Sequence, residues 1–180
     1  MRVIAGSAKG ARLAPVPPGT RPLSDRAREG LFSSLASEVQ DSSCADLYAG
    51  TGAVGIEALS RGAASCLFVD SSAAAIRTIR ENLTRTGLDE ASRVVRAPIG
   101  KALEREEGPF DIAFLDPPYD APAEDLRRVF SQVTALISPR GAVVLTRPKK
   151  GSIDVVPVDW PVDRLLTYGD ARILICREAS

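Results

Sequence analysis

Residues 46–55 read Asp-Leu-Tyr-Ala-Gly-Thr-Gly-Ala-Val-Gly, and this stretch decides the fold. It follows a short apolar run and opens a helical run that ends at Gly62, so it joins a strand to a helix. Gly50, Gly52 and Gly55 have the G-x-G-x-x-G spacing of a loop whose backbone can approach a nucleotide-like cofactor. Asp70 ends the next predicted strand, where a carboxylate can hold a ribose diol. The stretch therefore predicts a cofactor-binding strand–loop–helix unit, with helix packing as the plainer explanation of the glycines.

Strands and helices alternate from Cys44 onward, which indicates a parallel sheet with helices on both faces. Strands are predicted at 44–48, 65–69, 93–96, 110–115 and 142–146, with helices near 53–61, 72–86, 99–106 and 123–137. Gly169-Asp170 separates two last apolar runs and is a two-residue hairpin signal. We therefore predict an α/β, Rossmann-like fold. Its mostly parallel seven-stranded sheet ends in an antiparallel C-terminal hairpin and follows a short basic N-terminal extension.

A second decisive stretch, Asp116-Pro117-Pro118-Tyr119, lies at the end of the apolar run 110–115. In a doubly wound sheet the carboxyl ends of the strands form the ligand crevice. The prolines fix the backbone and remove two N–H donors, which leaves the carbonyls of Asp116 and Pro117 as acceptors. Together with the flat ring of Tyr119, these groups suit a planar base that carries an exocyclic amine. The alternative is an ordinary strand-to-loop turn with a surface tyrosine.

The glycine loop by itself fits either a nicotinamide dinucleotide or an adenosyl amino acid. Asp46 favours the second, because a carboxylate there would repel a pyrophosphate but could accept from the ammonium group of S-adenosylmethionine. An amine-accepting turn also has no use in hydride transfer, so a NAD-dependent oxidoreductase remains only a distant alternative. The predicted cofactor-binding residues are Asp46, Tyr48, Ala49, Gly50, Gly52, Asp70, Ser71 and Ala97.

Length and composition restrict the class of protein. The 180 residues suit one domain, and 44% hydrophobic with 26% charged residues is ordinary for a globular protein. We expect a cytoplasmic protein without a membrane span, because no apolar run is long enough for a span or a signal peptide. The chain has no histidine and three widely spaced cysteines in apolar runs. We therefore expect reduced core thiols, no metal site and no imidazole base.

Charge is distributed unevenly along the chain. The net charge is zero, yet the first 30 residues hold six basic side chains against two acidic ones. A basic arm on an acidic body indicates a polyanion partner. Arg12, Arg21, Arg26 and Arg28 are the candidate residues for contacts with such a polyanion. The spacing of Ala27, Leu31 and Leu35 places the helical arginines off the buried stripe, and a merely solvated helix face is the alternative.

Three motifs together resemble the RsmD family of bacterial 16S ribosomal RNA guanine-N2 methyltransferases, which have the class I S-adenosylmethionine-dependent fold. They are Thr-Arg-Pro at 20–22 with Ser-Asp-Arg-Ala-Arg-Glu at 24–29, the stretch 46–63, and Asp-Pro-Pro-Tyr at 116–119. The resemblance covers nearly the whole chain. It implies methyl transfer from S-adenosylmethionine to the N2 amine of a guanine in 16S rRNA. The catalytic residues would be Asp116, Pro117, Pro118 and Tyr119.

The resemblance also implies one methyltransferase domain over residues 1–180. Residues 1–40 would form the basic extension and its helix, and residues 41–180 the cofactor-binding catalytic core. We expect a monomer that acts on 16S rRNA within a small-subunit assembly particle. The arginines of the extension would then contact the phosphate backbone.

Two departures from the family pattern bear on the site. Leu23 stands where the family often has Thr, which is a minor change. Ala97-Pro98 stands where many related enzymes carry an acid or amide for the adenine amine, so we expect backbone atoms to recognise adenine.

Other functions stay open at this point. An adenine-N6 or cytosine-N4 methyltransferase of DNA, or of another RNA, would use the same amine-accepting turn, although 180 residues leave little room for a DNA target-recognition domain. A cytosine-C5 methyltransferase would need a nucleophilic cysteine beside a proline, and none of the three cysteines is so placed. A non-enzymatic RNA-binding module is the last alternative.

Overall fold

The computed structural model describes residues 1–15 and 22–179 and is built on a seven-stranded sheet. The strands are β1 (Ser43–Leu47), β2 (Ser65–Asp70), β3 (Ser92–Arg96), β4 (Phe110–Leu115), β5 (Ile137–Pro148), β6 (Val162–Tyr168) and β7 (Ala171–Cys176). The helices are α1 (Asp25–Ser34), α2 (Ala36–Val39), α3 (Ala53–Ser60), α4 (Ala73–Thr86), α5 (Ile99–Leu103) and α6 (Ala123–Thr134). A 3-10 turn, Asp89–Ala91, precedes β3.

The strand order β3-β2-β1-β4-β5-β7-β6 places the site. The chain moves outward from β1 to β3 and then returns to add β4 on the other side of β1, so the order reverses between β1 and β4. All pairs among the first five strands are parallel, and β7 is antiparallel to both β5 and β6. Ligands of such sheets bind outside the carboxyl ends of the strands at the reversal point. Here Leu47 pairs with Leu115, so the loop after β1 and the loop after β4 leave the sheet side by side.

Two apolar layers cover the sheet. One face packs against the N-terminal arm, α1, α3 and α4, and buries Phe32 and Phe68. The other face packs against α5 and α6 and buries Phe130 and Trp160. The predicted fold class is therefore confirmed, including the antiparallel C-terminal hairpin.

Two predicted boundaries are wrong. The helix expected to reach residue 137 ends at Thr134, and β5 begins at Ile137 rather than at Ala142. The cause is tertiary, because the chain after α6 pairs with the start of β4: the Phe110 N–H donates to the Leu136 carbonyl at 2.7 Å, and Ile137 pairs with Phe110. Near the N-terminus, Arg2 and Arg12 form one isolated antiparallel bridge.

Buried polar side chains attach the N-terminal arm to the body. Glu57 of α3 is fully buried and accepts from the backbone N–H groups of Ile4 at 2.8 Å and Ala5 at 3.0 Å. Asn82 of α4 accepts from the Ala14 N–H at 2.7 Å and donates to the Thr51 carbonyl at 2.8 Å. The arm is therefore connected through Asn82 to the glycine loop.

The three cysteines are buried and free, as expected. Of the helices in the described ranges, none has both the length and the apolar character needed to cross a membrane.

Candidate active site

The loop between β1 and α3 owes its shape to its glycines. Gly52 caps α3 with φ +75°, a left-handed conformation that favours glycine. A Cβ on Gly52 would lie 3.3 Å from side-chain atoms of Ile79 and Phe68, so this residue faces the core. Tyr48 also has a positive φ of 64° at the end of β1. Such a conformation in a non-glycine residue is strained and is typical of functional sites.

The carboxylates of Asp46 and Asp70 hold this loop in place through hydrogen bonds from backbone N–H groups. The Oδ2 atom of Asp46 accepts from the Gly55 N–H at 2.9 Å. Asp70 uses both oxygens, because Oδ2 accepts from the Gly50 N–H at 2.9 Å and Oδ1 accepts from the Ser72 N–H at 2.8 Å. Each carboxylate oxygen can accept a second hydrogen bond, so Asp70 can hold the loop and still receive a ligand hydroxyl.

A cavity of about 680 Å³, the larger cavity, opens above this loop. Its volume lies in the ordinary range for small-molecule sites. Six of the eight predicted cofactor-binding residues line it, namely Asp46, Tyr48, Ala49, Gly50, Asp70 and Ser71. Gly52 and Ala97 are not among the described lining residues. The Ala97 N–H instead donates to the Asp70 carbonyl at 3.2 Å.

A second cavity of about 400 Å³, the smaller cavity, adjoins the first. Asp116 and Tyr119 line both cavities, whereas Pro117 and Pro118 line the larger one. The Thr146 hydroxyl donates a hydrogen bond to the Asp116 carboxyl and also lines the smaller cavity. Asp116 therefore stands where the two cavities meet, with one side toward each.

Burial perturbs both central carboxyls. Burial, together with the charges of Asp116 and Asp70, raises the pKa of Asp46 to about 8, against the hydrogen bond from Gly55. Asp116 is partly exposed as a residue, but the protein around its carboxyl raises its pKa to about 7, against the hydrogen bond from Thr146. A cation bound in the larger cavity would favour the ionised form of both groups.

The predicted RNA-binding arginines lie in different environments. Arg12 and Arg26 are exposed, and Arg26 lines the smaller cavity. Arg21 lies outside the described residues. The prediction that Arg28 faces away from the buried side of its helix is wrong, because Arg28 is 1% exposed. Arg28 lines the larger cavity, and its Nη2 atom donates to the carbonyl of Arg2 in the N-terminal arm.

Thr146 was not predicted as a site residue. It follows Leu145, which pairs with Leu115, so Thr146 lies directly across from Asp116 on the adjacent strand. No motif marks it.

Comparisons with known proteins agree with this geometry. The family described as "Conserved hypothetical protein 95" matches residues 1–177. The Escherichia coli protein named ribosomal RNA small subunit methyltransferase D is 32% identical over 183 residues, which cover 100% of this chain and 91% of that protein. YlbH of Bacillus subtilis is 34% identical over 185 residues, with 99% of each chain covered.

Among solved structures, the Escherichia coli methyltransferase yhhF superposes with a TM-score of 0.86 at 32% identity, with 100% of this chain and 99% of that one covered. The fold, the motifs and the full-length likeness agree. The chain therefore belongs to the Conserved hypothetical protein 95 family, the RsmD family of ribosomal RNA methyltransferases that its motifs resemble.

Proposed function

We propose that this protein transfers a methyl group from S-adenosylmethionine to the exocyclic N2 amine of a guanine in 16S rRNA. The larger cavity would hold the donor and the smaller cavity would hold the base. One observation carries the proposal: the two cavities adjoin at Asp116, whose carboxyl would face both the donor and the amine.

The residues of the larger cavity fit S-adenosylmethionine. Asp70 offers free lone pairs to ribose hydroxyls, and Asp46 offers a buried carboxylate to the ammonium group. Burial raises the pKa of Asp46, and the ammonium would supply a positive charge that favours its ionised form. When bound, the cofactor supplies an electrophilic methyl group on a sulfonium sulfur.

The residues at the junction of the cavities would activate the amine. The N2 lone pair of guanine is delocalised into the ring and is a poor nucleophile. Hydrogen acceptance by the Asp116 carboxylate and the Pro117 carbonyl would favour a pyramidal nitrogen aimed at the methyl group. The nitrogen becomes strongly acidic as the new bond forms, so Asp116 or water can take the proton late. A pKa near 7 suits Asp116 to this transfer.

Tyr119 would stack on the base after it leaves its helix. We expect Tyr119→Ala to lower the rate of RNA methylation by about 10–100-fold, because stacking on an aromatic ring contributes roughly 1–3 kcal/mol per base. The affinity for S-adenosylmethionine should change much less. Tyr119→Phe retains the ring and is the matched control, with a rate close to that of the wild type. Equal losses in the Ala and Phe variants would assign the effect to the hydroxyl and reject stacking.

Arg26 is exposed beside the smaller cavity, where the phosphates next to the target base would pass. We expect Arg26→Ala to weaken RNA binding and to reduce the slope of log K against log salt by about 1. Arg105→Ala is the matched control, because Arg105 is exposed near the amino ends of the strands, beside Phe110. Filter binding at several salt concentrations measures both. An unchanged slope for Arg26→Ala would mean that Arg26 is a solvated residue of the helix surface that does not contact RNA.

The proposed function is tested with a tritium-labelled methyl donor. The protein is incubated with 16S rRNA, with small-subunit particles and with duplex DNA, and the labelled nucleosides are identified. Label in N2-methylguanosine supports the proposal. Label in N6-methyladenine or N4-methylcytosine would instead identify the protein as a methyltransferase of adenine or cytosine amines. Label on a ring carbon or a ribose hydroxyl would reject the role of Asp116.

The setting belongs to the same proposal. We propose a single domain, with residues 1–40 as the extension and 41–180 as the core, acting in the cytoplasm as a monomer on rRNA in an assembly particle. The burial of arm residues Val3 and Leu13 in the apolar layer shared with α3 supports one folding unit. Large exposed apolar side chains in the described ranges are scattered, namely Tyr119, Ile153, Val158 and Leu165. That distribution favours a monomer.

A further inference from the structure

Arg28 is a buried cation whose hydrogen-bonding capacity is only partly used. Its Nη2 atom donates to the Arg2 carbonyl at 2.8 Å and to Asp25 Oδ1 at 2.7 Å. Its Nε and Nη1 atoms are buried and have no acceptor among the described residues. Leaving charged donors buried and unpaired is costly, and most such groups in native proteins have a partner. The described surroundings of Arg28 therefore lack an acceptor for these two atoms.

The location of Arg28 identifies the side from which that acceptor would come. Arg28 lines the larger cavity, together with Leu23 and the cofactor-binding loop. The charged residues among the other described lining residues are all acidic: Asp46, Asp70, Asp116 and Asp120. A ligand of this cavity thus meets four carboxyl groups and one guanidinium. It should carry cationic groups and a single anionic group placed toward helix α1.

We propose that Arg28 binds the carboxylate of the methionine part of S-adenosylmethionine. The inference rests on the proposed function, which puts this cofactor in the larger cavity. The ammonium and sulfonium groups of the cofactor would lie near the carboxyl groups of the cavity, and its one carboxylate would bind to Arg28. Charge-assisted hydrogen bonds between guanidinium and carboxylate are among the stronger polar contacts in proteins.

The same geometry separates Arg28 from the RNA-binding arginines. A phosphate of the RNA backbone needs an accessible side chain, and Arg28 is 1% exposed whereas Arg26, two residues earlier, lies on the surface. One helix would therefore serve two ligands, with Arg26 toward RNA and Arg28 toward the cofactor. Asp25 acts as a positioning residue, because its contact with Nη2 fixes one edge of the guanidinium.

The inference predicts a dependence on the cofactor carboxylate that can be measured without turnover. Calorimetric titration of the wild type with S-adenosylmethionine and with decarboxylated S-adenosylmethionine should give an affinity about 10–100-fold lower for the second ligand, the effect of one hydrogen-bonded charge. Arg28→Met should lose about the same factor for S-adenosylmethionine. It should lose almost nothing for the decarboxylated ligand, because the partner group is already absent.

Controls distinguish this effect from damage to the fold. Arg105→Met removes an exposed arginine near the amino ends of the strands and should bind both ligands as the wild type does. If Arg28→Met does not fold, Arg28→Lys keeps the charge, and the two-ligand comparison in the wild type needs no variant.

Equal wild-type affinity for both ligands would overturn the inference, and so would an Arg28→Met variant that weakens RNA binding but still prefers the carboxylated ligand. A wild type that binds neither ligand would instead overturn the proposed function itself.

Discussion

Asp116→Ala is expected to lower the rate of methyl transfer by about 10²–10³-fold, the loss typical of removing one preorganised polar contact to the reacting centre. Cofactor affinity should change little, because Asp46 and Asp70 remain to hold the ammonium and the ribose. The reason lies in the position of Asp116, which lines both cavities and, in the proposed function, would face the amine beside the donor. Single-turnover methylation and calorimetric titration measure the two quantities separately.

The pH dependence tests the same group in the wild type. A carboxyl with a pKa of about 7 is neutral below that pH and accepts amine hydrogens strongly only when it is ionised. The bound sulfonium would lower this pKa, so the single-turnover rate should rise with pH and level off below about 7. Asp116→Asn keeps an acceptor oxygen without a titrating group, so we expect an intermediate rate that is flat across this range.

Two outcomes would contradict the assignment. Loss of cofactor binding in a folded Asp116→Ala protein would make Asp116 part of the donor site rather than the amine site. A wild-type pH profile shared unchanged by Asp116→Asn would mean that another group titrates.

Local chemistry explains which parts of the site could be predicted from sequence. Gly50, Asp70 and the Asp116–Tyr119 stretch line the larger cavity, as expected from their short spacings and from their places at the ends of predictable strands. Gly52 was expected to bind cofactor, yet it faces Ile79 and Phe68, because the left-handed turn that requires glycine also directs it to the core.

Arg28 and the start of β5 could not be predicted, because both depend on tertiary contacts. The apolar spacing of α1 identifies a buried stripe but not the contact of Arg28 with the N-terminal arm, where its side chain donates to the Arg2 carbonyl. Residues after Thr134 continue an apolar helical pattern, yet Ile137 pairs with Phe110 across the sheet. The spacing of apolar residues in a short window of sequence cannot reveal pairing with a strand some 27 residues earlier in the chain.

Asp46→Asn is expected to stabilise the folded protein and to lower its affinity for S-adenosylmethionine. Asp46 is 3% exposed, and burial raises its pKa from 3.8 to about 8. Between these values the folded protein holds a proton that the unfolded chain has released, so the free energy of unfolding falls as pH rises from about 4 to 8. The full contribution at pH 8 is roughly 5 kcal/mol. Asn has no proton to lose and keeps the hydrogen bond from Gly55.

The amide of Asn is itself buried, and its unpaired N–H donors cost about 1–3 kcal/mol. We therefore expect a net gain on the order of 3 kcal/mol at pH 8, and a much smaller difference at pH 5, where the wild-type carboxyl is protonated only in the folded state and has lost little stability. Chemical denaturation at the two pH values measures the difference. Asp116 is present in both proteins, and its charge, which helps to raise the pKa of Asp46, is part of the expected difference.

Cofactor binding should move in the opposite direction. The ammonium of S-adenosylmethionine would lose a charged acceptor, which lowers affinity by about 10–100-fold. Asp111→Asn is the matched control, because Asp111 accepts from the Ser43 N–H at 2.8 Å near the amino end of β1, away from the larger cavity. It should leave the affinity unchanged. A stability difference for Asp46→Asn that is the same at pH 5 and pH 8 would mean that Asp46 is already ionised in the folded protein. In that case Asp46 would be a carboxylate before the cofactor binds, without help from the charge of the ammonium.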